Sequence, residues 1–114
     1  MDNWGTPKSI MKMFEDWFDP CPLNENPTFD GLAIDWKDKT FVNPPYSKPL
    51  PWVIKAIDES KKGKRIVMLL KADTSTQVFK ELVGSGATIA FIHKRLKFEG
   101  ASNCATFPSM LVFL

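Results

Sequence analysis

The order of segments along the chain predicts an α/β fold with a mostly parallel, doubly wound sheet of about five strands flanked by helices. Helical and strand-like patterns alternate, as they do in folds of this class. The run Arg65–Leu70 is almost continuously apolar, which is typical of a strand covered on both faces of a parallel sheet. Two further strand-like segments end in proline-containing loops, Asp19–Pro22 and Asn43–Tyr46.

The composition indicates one globular domain spanning residues 1–114. The chain is 44% hydrophobic and 25% charged, with a net charge of +2. With two cysteines far apart and one histidine, we expect neither a metal site nor a disulfide framework. The sequence contains no run of about 18 apolar residues that would predict a membrane span, and its first residues do not resemble a signal peptide. We therefore expect a cytoplasmic protein.

Three helices are predicted from apolar periodicity and end signals. The first covers about residues 7–16, with Thr6 as its N-cap and Pro7 at its first position. The second covers about 50–62 and ends at Gly63. The third, capped by Asp73 or Thr74, runs to about Val83. Strand-like or extended segments cover residues 17–19, 40–42, 65–70, 88–92, 96–98 and 110–114.

The loops after the first two strands carry the most unusual chemistry. Ligands of open parallel sheets bind beyond the carboxyl ends of strands, where the strand order reverses. We therefore expect the strands that precede Asp19–Pro22 and Asn43–Tyr46 to be neighbours. One loop would then hold a cofactor and the other the group on which it acts.

The sequence Asn43-Pro44-Pro45-Tyr46 is suited to hold a planar amine. Each proline fixes its own φ at about −65° and disfavours a helical conformation at the residue before it. We therefore expect the chain to leave the strand in an extended conformation. An amide oxygen beside a backbone carbonyl can accept both hydrogens of one amino group, and Tyr46 offers a ring for stacking. Such a site fits a nucleobase amine or a planar amide; a proline-stiffened turn with a buried tyrosine is the structural alternative.

Two basic clusters could meet phosphates. Residues 61–65 contain three lysines and Arg65, and this pattern is more typical of the solvated end of a helix. The second cluster interrupts apolar segments and is followed by Phe98; its members are His93, Lys94, Arg95 and Lys97.

Several ordered motifs together resemble the phage-type DNA N-6-adenine methyltransferases, and the resemblance covers nearly the whole chain. The matching segments, in order, are Trp4–Pro7, Asp19–Asn24, Asp30–Leu32, Asp35–Trp36, Asn43–Ser47, Pro51–Trp52, Met68–Leu70, Arg95–Phe98 and Phe107–Ser109. The resemblance implies a minimal Rossmann-like class I methyltransferase. It also implies S-adenosylmethionine as cofactor and adenine in DNA as substrate.

The family's site residues can be carried onto matching positions. Asn43, Pro44, Pro45 and Tyr46 would form the catalytic corner, where a flipped-out adenine receives the methyl group in a direct in-line transfer. The residues implied for cofactor binding are Thr6, Pro7, Asp19, Pro20, Cys21, Asn24, Asp30, Asp35 and Asn43. Those implied for nucleic-acid binding are Tyr46, Ser47, Lys94, Arg95, Lys97 and Phe98, with Tyr46 the first and Phe98 the second candidate for stacking on the base.

The chain also departs from the general class. Prolines stand where many methyltransferases have a glycine-rich loop, and the interval before Asn43 is too short for two further βα units. We expect no separate target-recognition domain, which leaves a homodimer or a partner chain as the source of additional surface. Alternative functions are methylation of adenine in RNA, methylation of a protein glutamine amide, and non-catalytic binding of cofactor or nucleic acid.

Overall fold

The computed structural model describes residues 5–22, 29–98 and 107–114. Three α-helices and four strands lie within these ranges. The helices are α1 (Lys8–Met11), α2 (Leu50–Ser60) and α3 (Gln77–Gly84), and a 3₁₀ turn at Lys12–Phe14 extends α1. The strands are β1 (Lys39–Val42), β2 (Arg65–Lys71), β3 (Thr88–Phe91) and β4 (Ser109–Phe113).

The four strands form one sheet in the order β1-β2-β4-β3. β1 and β2 are parallel, and β4 is antiparallel to both of its neighbours, β2 and β3. β3 therefore runs in the same direction as β1 and β2. Outside β1, Phe18 forms a parallel bridge with Thr40. Its amide donates to the Lys39 carbonyl at 2.9 Å, and its carbonyl accepts from the Phe41 amide at 2.9 Å.

The α/β class is confirmed, whereas the expected mostly parallel sheet of about five strands is wrong in two respects. The described residues contain four strands, because residues 17–19 pair with β1 through a single bridge at Phe18. The sheet is mixed, because β4 enters it between β2 and β3 in the opposite direction. The continuous apolar run of β2 reflects cover on both of its faces, and this cover does not fix the direction of a neighbouring strand.

β2 lies at the centre of the core and is covered on both faces, as its continuous apolar run predicts. All five residues between its two ends are buried. Ile66, Met68 and Leu70 face the layer formed by α2 and α3, where Val53 and Leu82 are fully buried. On the opposite face, Val67 and Leu69 pack in a second cluster with three further buried residues, Ile10, Phe41 and Phe98.

The helix ends differ in detail from the prediction. α1 begins at Lys8 with Pro7 in the N-cap position, so Thr6 does not cap it. α3 is capped by Thr76, whose hydroxyl accepts from the Phe79 amide at 3.2 Å. Asp73 instead forms a turn with Ser75, accepting from its amide at 3.0 Å and its hydroxyl at 2.6 Å. Aspartate and threonine both suit either role, so composition does not distinguish a turn from the cap that follows it.

The Glu59 carboxylate is fully buried at the end of α2 and is surrounded by lysines. The nitrogens of Lys62 and Lys64 lie 2.7 and 2.9 Å from its oxygens, and that of Lys55 lies 3.9 Å away. The backbone amide of Trp36 also donates to it. Burial by itself raises the pKa of Glu59, but the hydrogen bonds from Lys62, Lys64 and Trp36 prevail and lower the pKa to about 2. This cluster joins the loop before β1 to α2.

We predict that Glu59→Gln destabilises the fold by about 1–3 kcal/mol, because the amines of Lys55, Lys62 and Lys64 lose their buried counter-charge. The wild-type contribution is complete above the unfolded-state pKa of 4.5 and is lost as the pH falls towards about 2. Glu59→Gln should therefore flatten the pH dependence of the free energy of unfolding between about pH 5 and 2. Urea denaturation across this range measures both effects.

Asp58→Asn, at an exposed position on the same helix, is the matched control and should change stability by less than about 0.5 kcal/mol. An equal pH dependence in wild type and Glu59→Gln would contradict the prediction.

Candidate active site

The loops that carry unusual chemistry lie at one end of the sheet, where the parallel strands finish. We call this end of the strands the carboxyl edge. Since β1, β2 and β3 share one direction and Phe18 pairs in parallel with β1, the residues after each of them leave at this edge. The expectation that Asp19–Pro22 and Asn43–Tyr46 follow neighbouring strands is confirmed by the bridge between Phe18 and Thr40. The carboxyl edge is the usual position of a ligand in an α/β sheet.

Asn43 is held at the end of β1 by the N-terminal segment. Its side-chain nitrogen donates to the hydroxyl of Thr6 at 3.3 Å, and Thr6 is 9% exposed. Because the hydroxyl accepts from the amide nitrogen, the contact defines the orientation of the whole amide group and directs its oxygen the other way. The sequence interpretation assigned Thr6 to the cofactor; the structure additionally places it where it can orient Asn43.

Tyr46 lies against an aromatic cluster. Its ring meets those of Phe98 and Phe107 edge-on, at centroid distances of 5.5 and 5.1 Å. Burial raises the pKa of the Tyr46 phenol well above its ordinary value, opposed by a hydrogen bond to the side chain of Asn43. The phenol is therefore neutral at physiological pH, and its ring is fixed in orientation by the two phenylalanines.

Phe98, the second stacking candidate, is 2% exposed and belongs to the core cluster that covers β2. In this conformation it packs behind Tyr46 and has no open face for a base. For a phenylalanine that follows a basic segment, the sequence does not show whether the side chain points towards solvent or into the core. Phe107 is not among the predicted site residues, although it contacts Tyr46 as closely as Phe98 does.

The loop after Phe18 is compact and partly buried. The Asp19 carboxylate accepts from the Cys21 amide at 2.9 Å, and Pro20 is buried. Burial raises the pKa of Asp19, and the same hydrogen bond opposes this effect. Burial and the neighbouring Asp19 charge raise the pKa of Cys21 to about 11, so its thiol stays protonated and unreactive at neutral pH.

Gly31 brings the next segment into direct contact with this loop. A β-carbon at residue 31 would overlap the carbonyl of Pro20 and come within 2.8 Å of the Trp52 ring. The Gly31 carbonyl also accepts from the Trp36 indole nitrogen at 2.7 Å. Asp30 is exposed, and its carboxylate accepts from the Leu32 amide at 3.0 Å in a turn around Gly31.

The structure does not bring Asp35 to the carboxyl edge. Its side chain is 86% exposed and lies 3.6 Å from the amine of Lys62, just beyond the end of α2. That position, shortly before the start of β1, is at the opposite edge of the sheet. This position gives no support to its assignment to the cofactor site, which stays a prediction. Asn24, also assigned to the cofactor, lies outside the described residues.

The second basic cluster leaves the carboxyl edge after β3. Lys94, Arg95 and Lys97 are exposed, and Lys94 adopts a left-handed φ of 69°. The segment returns to the core at Phe98, next to Tyr46. The cluster and the Asn43–Tyr46 loop therefore share one edge. Arg65, in the first cluster, lies at the opposite end of β2.

A cavity of about 470 Å³ opens beside Tyr46, between the loop after β1 and the segment that joins β2 to α3. The walls include Pro44, Tyr46 and Ser47, which the sequence analysis assigned to the site. It missed four polar residues of the far wall: Lys71, Asp73, Thr76 and Gln77. These residues lie between the end of the most apolar strand and the start of α3. That position after a parallel strand could have marked them as candidates for the site.

The part of the chain that the structure describes was searched for a metal-binding cluster and for a membrane-spanning helix. Residues 5–22, 29–98 and 107–114 contain no group of three or more potential metal-ligating side chains. No helix in the same ranges has the length and apolarity needed to cross a membrane.

Comparison with known proteins gives consistent matches. Residues 1–113 match the family model described as DNA N-6-adenine-methyltransferase (Dam). A DNA N-6-adenine-methyltransferase of Haemophilus phage HP1 (strain HP1c1) is 34% identical over 114 aligned residues, which cover 85% of this chain and 66% of the relative. One from Escherichia phage T1 is 31% identical over 128 aligned residues, covering 99% of this chain and 54% of the relative. The chain thus spans less than two thirds of the length of either relative. No solved structure matched the chain.

We predict that Gly31→Ala destabilises the protein, because the added methyl group must displace the Pro20 carbonyl or the Trp52 ring. Overpacking of this kind typically costs about 1–3 kcal/mol. Gly84→Ala is the matched control, since nothing lies within 4 Å of a β-carbon there, and alanine favours the last turn of α3 by up to about 1 kcal/mol. Thermal denaturation of both variants measures the difference. Equal melting temperatures would show that the Gly31 contact is dispensable.

Proposed function

Because this chain belongs to the DNA N-6-adenine-methyltransferase (Dam) family, we propose that it methylates the exocyclic amino group of adenine in DNA, with S-adenosylmethionine as methyl donor. The observation that carries the proposal is the oriented amide of Asn43. It stands at the end of β1, beside the partly buried Asp19 loop that follows the adjacent strand. We further propose that the mixed sheet is a reduced class I methyltransferase fold.

The Asn43 corner supports recognition of an amine. The Asn43 amide nitrogen donates to the Thr6 hydroxyl, which fixes the orientation of the amide, and Pro44 has a carbonyl but no amide hydrogen. Two acceptors facing the two amino hydrogens would draw the nitrogen lone pair out of conjugation with the ring and towards the donor. Catalysis would then consist mainly of orienting the reactants, which can contribute about 7–11 kcal/mol.

The residues around Asp19 fit a cationic methyl donor. S-adenosylmethionine, when bound, supplies a methyl group on a positively charged sulfur. The Asp19 carboxylate is partly buried, and it lies in the loop adjacent to Asn43, so it can pair with the donor's ammonium group. Thr6, Pro7 and the Pro20–Cys21 segment would complete the contacts. The chemical balance is one sulfur–carbon bond broken, one nitrogen–carbon bond formed, and one amino proton released to solvent.

The aromatic cluster and the second basic cluster support binding of an extrahelical base. A base inside a duplex cannot reach Asn43, so it must be flipped out at a cost of a few kcal/mol. Tyr46, held edge-on by Phe98 and Phe107, would stack on the base. Lys94, Arg95 and Lys97 are exposed at the same edge and would contact backbone phosphates.

The decisive experiment incubates the full chain with S-adenosylmethionine, labelled in its methyl group, and mixed-sequence DNA, followed by nucleoside analysis for N6-methyladenine. We predict that Asn43→Ala lowers the rate at least 1,000-fold, about 4 kcal/mol, a loss typical of a group that acts on the transition state, while the affinity for S-adenosylmethionine changes by only a few-fold. Calorimetric titration with the cofactor shows whether the site remains intact. Full activity in Asn43→Ala would remove the catalytic assignment.

We predict that Arg95→Ala weakens DNA binding and reduces the slope of log affinity against log salt by about one, because one phosphate contact is lost. Arg65→Ala is the matched control, since this arginine is also exposed but lies at the opposite edge of the sheet. Fluorescence anisotropy at several salt concentrations measures both slopes. An unchanged slope in Arg95→Ala would exclude a phosphate contact at this residue.

A further inference from the structure

The cavity beside Tyr46 is joined to the Asn43 corner but is separate from it. Pro44 and Tyr46 form one of its walls, whereas Asn43 and Thr6 do not line it. The opposite wall is the loop after β2, from Lys71 to the first residues of α3. A group bound in this cavity would therefore lie next to the amine-binding corner, against Pro44 and Tyr46, with walls that do not include Asn43 or Thr6.

The walls combine flat apolar surfaces with a polar end. The apolar lining residues include Pro44, Pro49, Pro51, Leu50, Leu70 and Val78. Asp73, Thr76 and Gln77 supply hydrogen-bonding groups at the far wall. A heterocyclic base has the complementary pattern, apolar on its faces and polar along its edge.

Charge and size also match a nucleotide. Lys48 and Lys71 both line the cavity, and both residues are exposed, so their amines can reach phosphates at its mouth. The Lys71 amine lies 3.9 Å from the Asp73 carboxylate, an exposed pair that is weak enough to open for a phosphate. The volume of about 470 Å³ lies within the range of about 300–1,000 Å³ typical of small-molecule sites. Both features favour one nucleotide of a bound strand.

We propose that this cavity receives the base next to the methylated adenine and thereby selects the bases that flank the target. The inference rests on the proposed function, because it takes DNA as the substrate. The Asp73 carboxylate would accept a hydrogen bond from the edge of the neighbouring base. Hydrogen bonds from Ser75 hold the pKa of Asp73 below its ordinary value, so the group is an acceptor at neutral pH. Adenine, guanine and cytosine offer an exocyclic amino group to this acceptor, whereas the N3–H of thymine lies between two carbonyl oxygens that repel a carboxylate. Thymine is therefore the least favoured base at this position.

Gln77→Trp tests the proposal by obstructing the cavity from its rim. Gln77 is exposed at the start of α3, so the change does not disturb the core. Lys80→Trp is the matched control, since it lies on the same helix, is exposed and does not line the cavity. Methylation of DNA with randomised bases around a single adenine should show a flanking preference in wild type and Lys80→Trp. Gln77→Trp should lose that preference and slow at least tenfold on the favoured sequence, with unchanged cofactor affinity.

A second measurement detects binding without requiring methyl transfer. Trinucleotides with a central adenine and different flanking bases are titrated into the protein, and the methyl NMR signals of Leu50, Leu70 and Val78 are followed. We expect these signals to shift, least with thymine flanks, and to stay in place in Gln77→Trp. Wild-type preference and rate in Gln77→Trp, or unmoved methyl signals in wild type, would overturn the inference even if adenine is methylated. Shifted signals in a protein that methylates no DNA would instead refute the proposed function and leave the nucleotide-binding cavity standing.

Discussion

Two backbone hydrogen bonds join Phe18 to β1, and the arrangement of the candidate site depends on them. They connect the Phe18 amide to the Lys39 carbonyl and the Phe18 carbonyl to the Phe41 amide, each at 2.9 Å. Because this pairing is parallel, the Asp19 and Asn43 loops leave the sheet side by side and in the same direction. Without it, the partly buried carboxylate and the oriented amide would have no reason to be neighbours. Phe18 has no ladder beyond this bridge, so its position also depends on packing against the main core cluster.

The two edges of the sheet serve different purposes. At the edge where β1 and β2 begin, the charges are paired with one another: Glu59 is enclosed by Lys55, Lys62 and Lys64, and the surface pair of Asp35 and Lys62 extends the cluster. At the carboxyl edge, the polar groups sit in short loops above the apolar core. β2 joins the two edges through five buried residues. A rigid central strand lets the loops at one end be shaped for a ligand, while the charged cluster at the other end stabilises the fold.

Much of the site could be predicted from the sequence because its residues lie close together along the chain and next to strand ends. Asn43–Tyr46 follows a strand directly, so its place at the carboxyl edge follows from the strand itself. Asp35 and Phe98 show the limit of this reasoning. Asp35 is near Gly31 in sequence, yet the chain crosses the α2 face between them and ends at the other edge. Phe98 follows the second basic cluster, so the sequence gives no sign that its side chain is buried. Only the packing of the second core cluster shows that it points inward.

The amino-acid sequence by itself determined the α/β class, the buried central strand and the chemical character of the Asn43 corner, because each depends on local patterns of apolar residues, prolines and glycines. Tertiary structure alone decided the antiparallel entry of β4, the contact between Thr6 and Asn43, and the cavity between the loops after β1 and β2. These features join residues that are distant in sequence: 37 positions separate Thr6 from Asn43. Their geometry arises from the pairing and packing of whole elements, which local preferences do not encode.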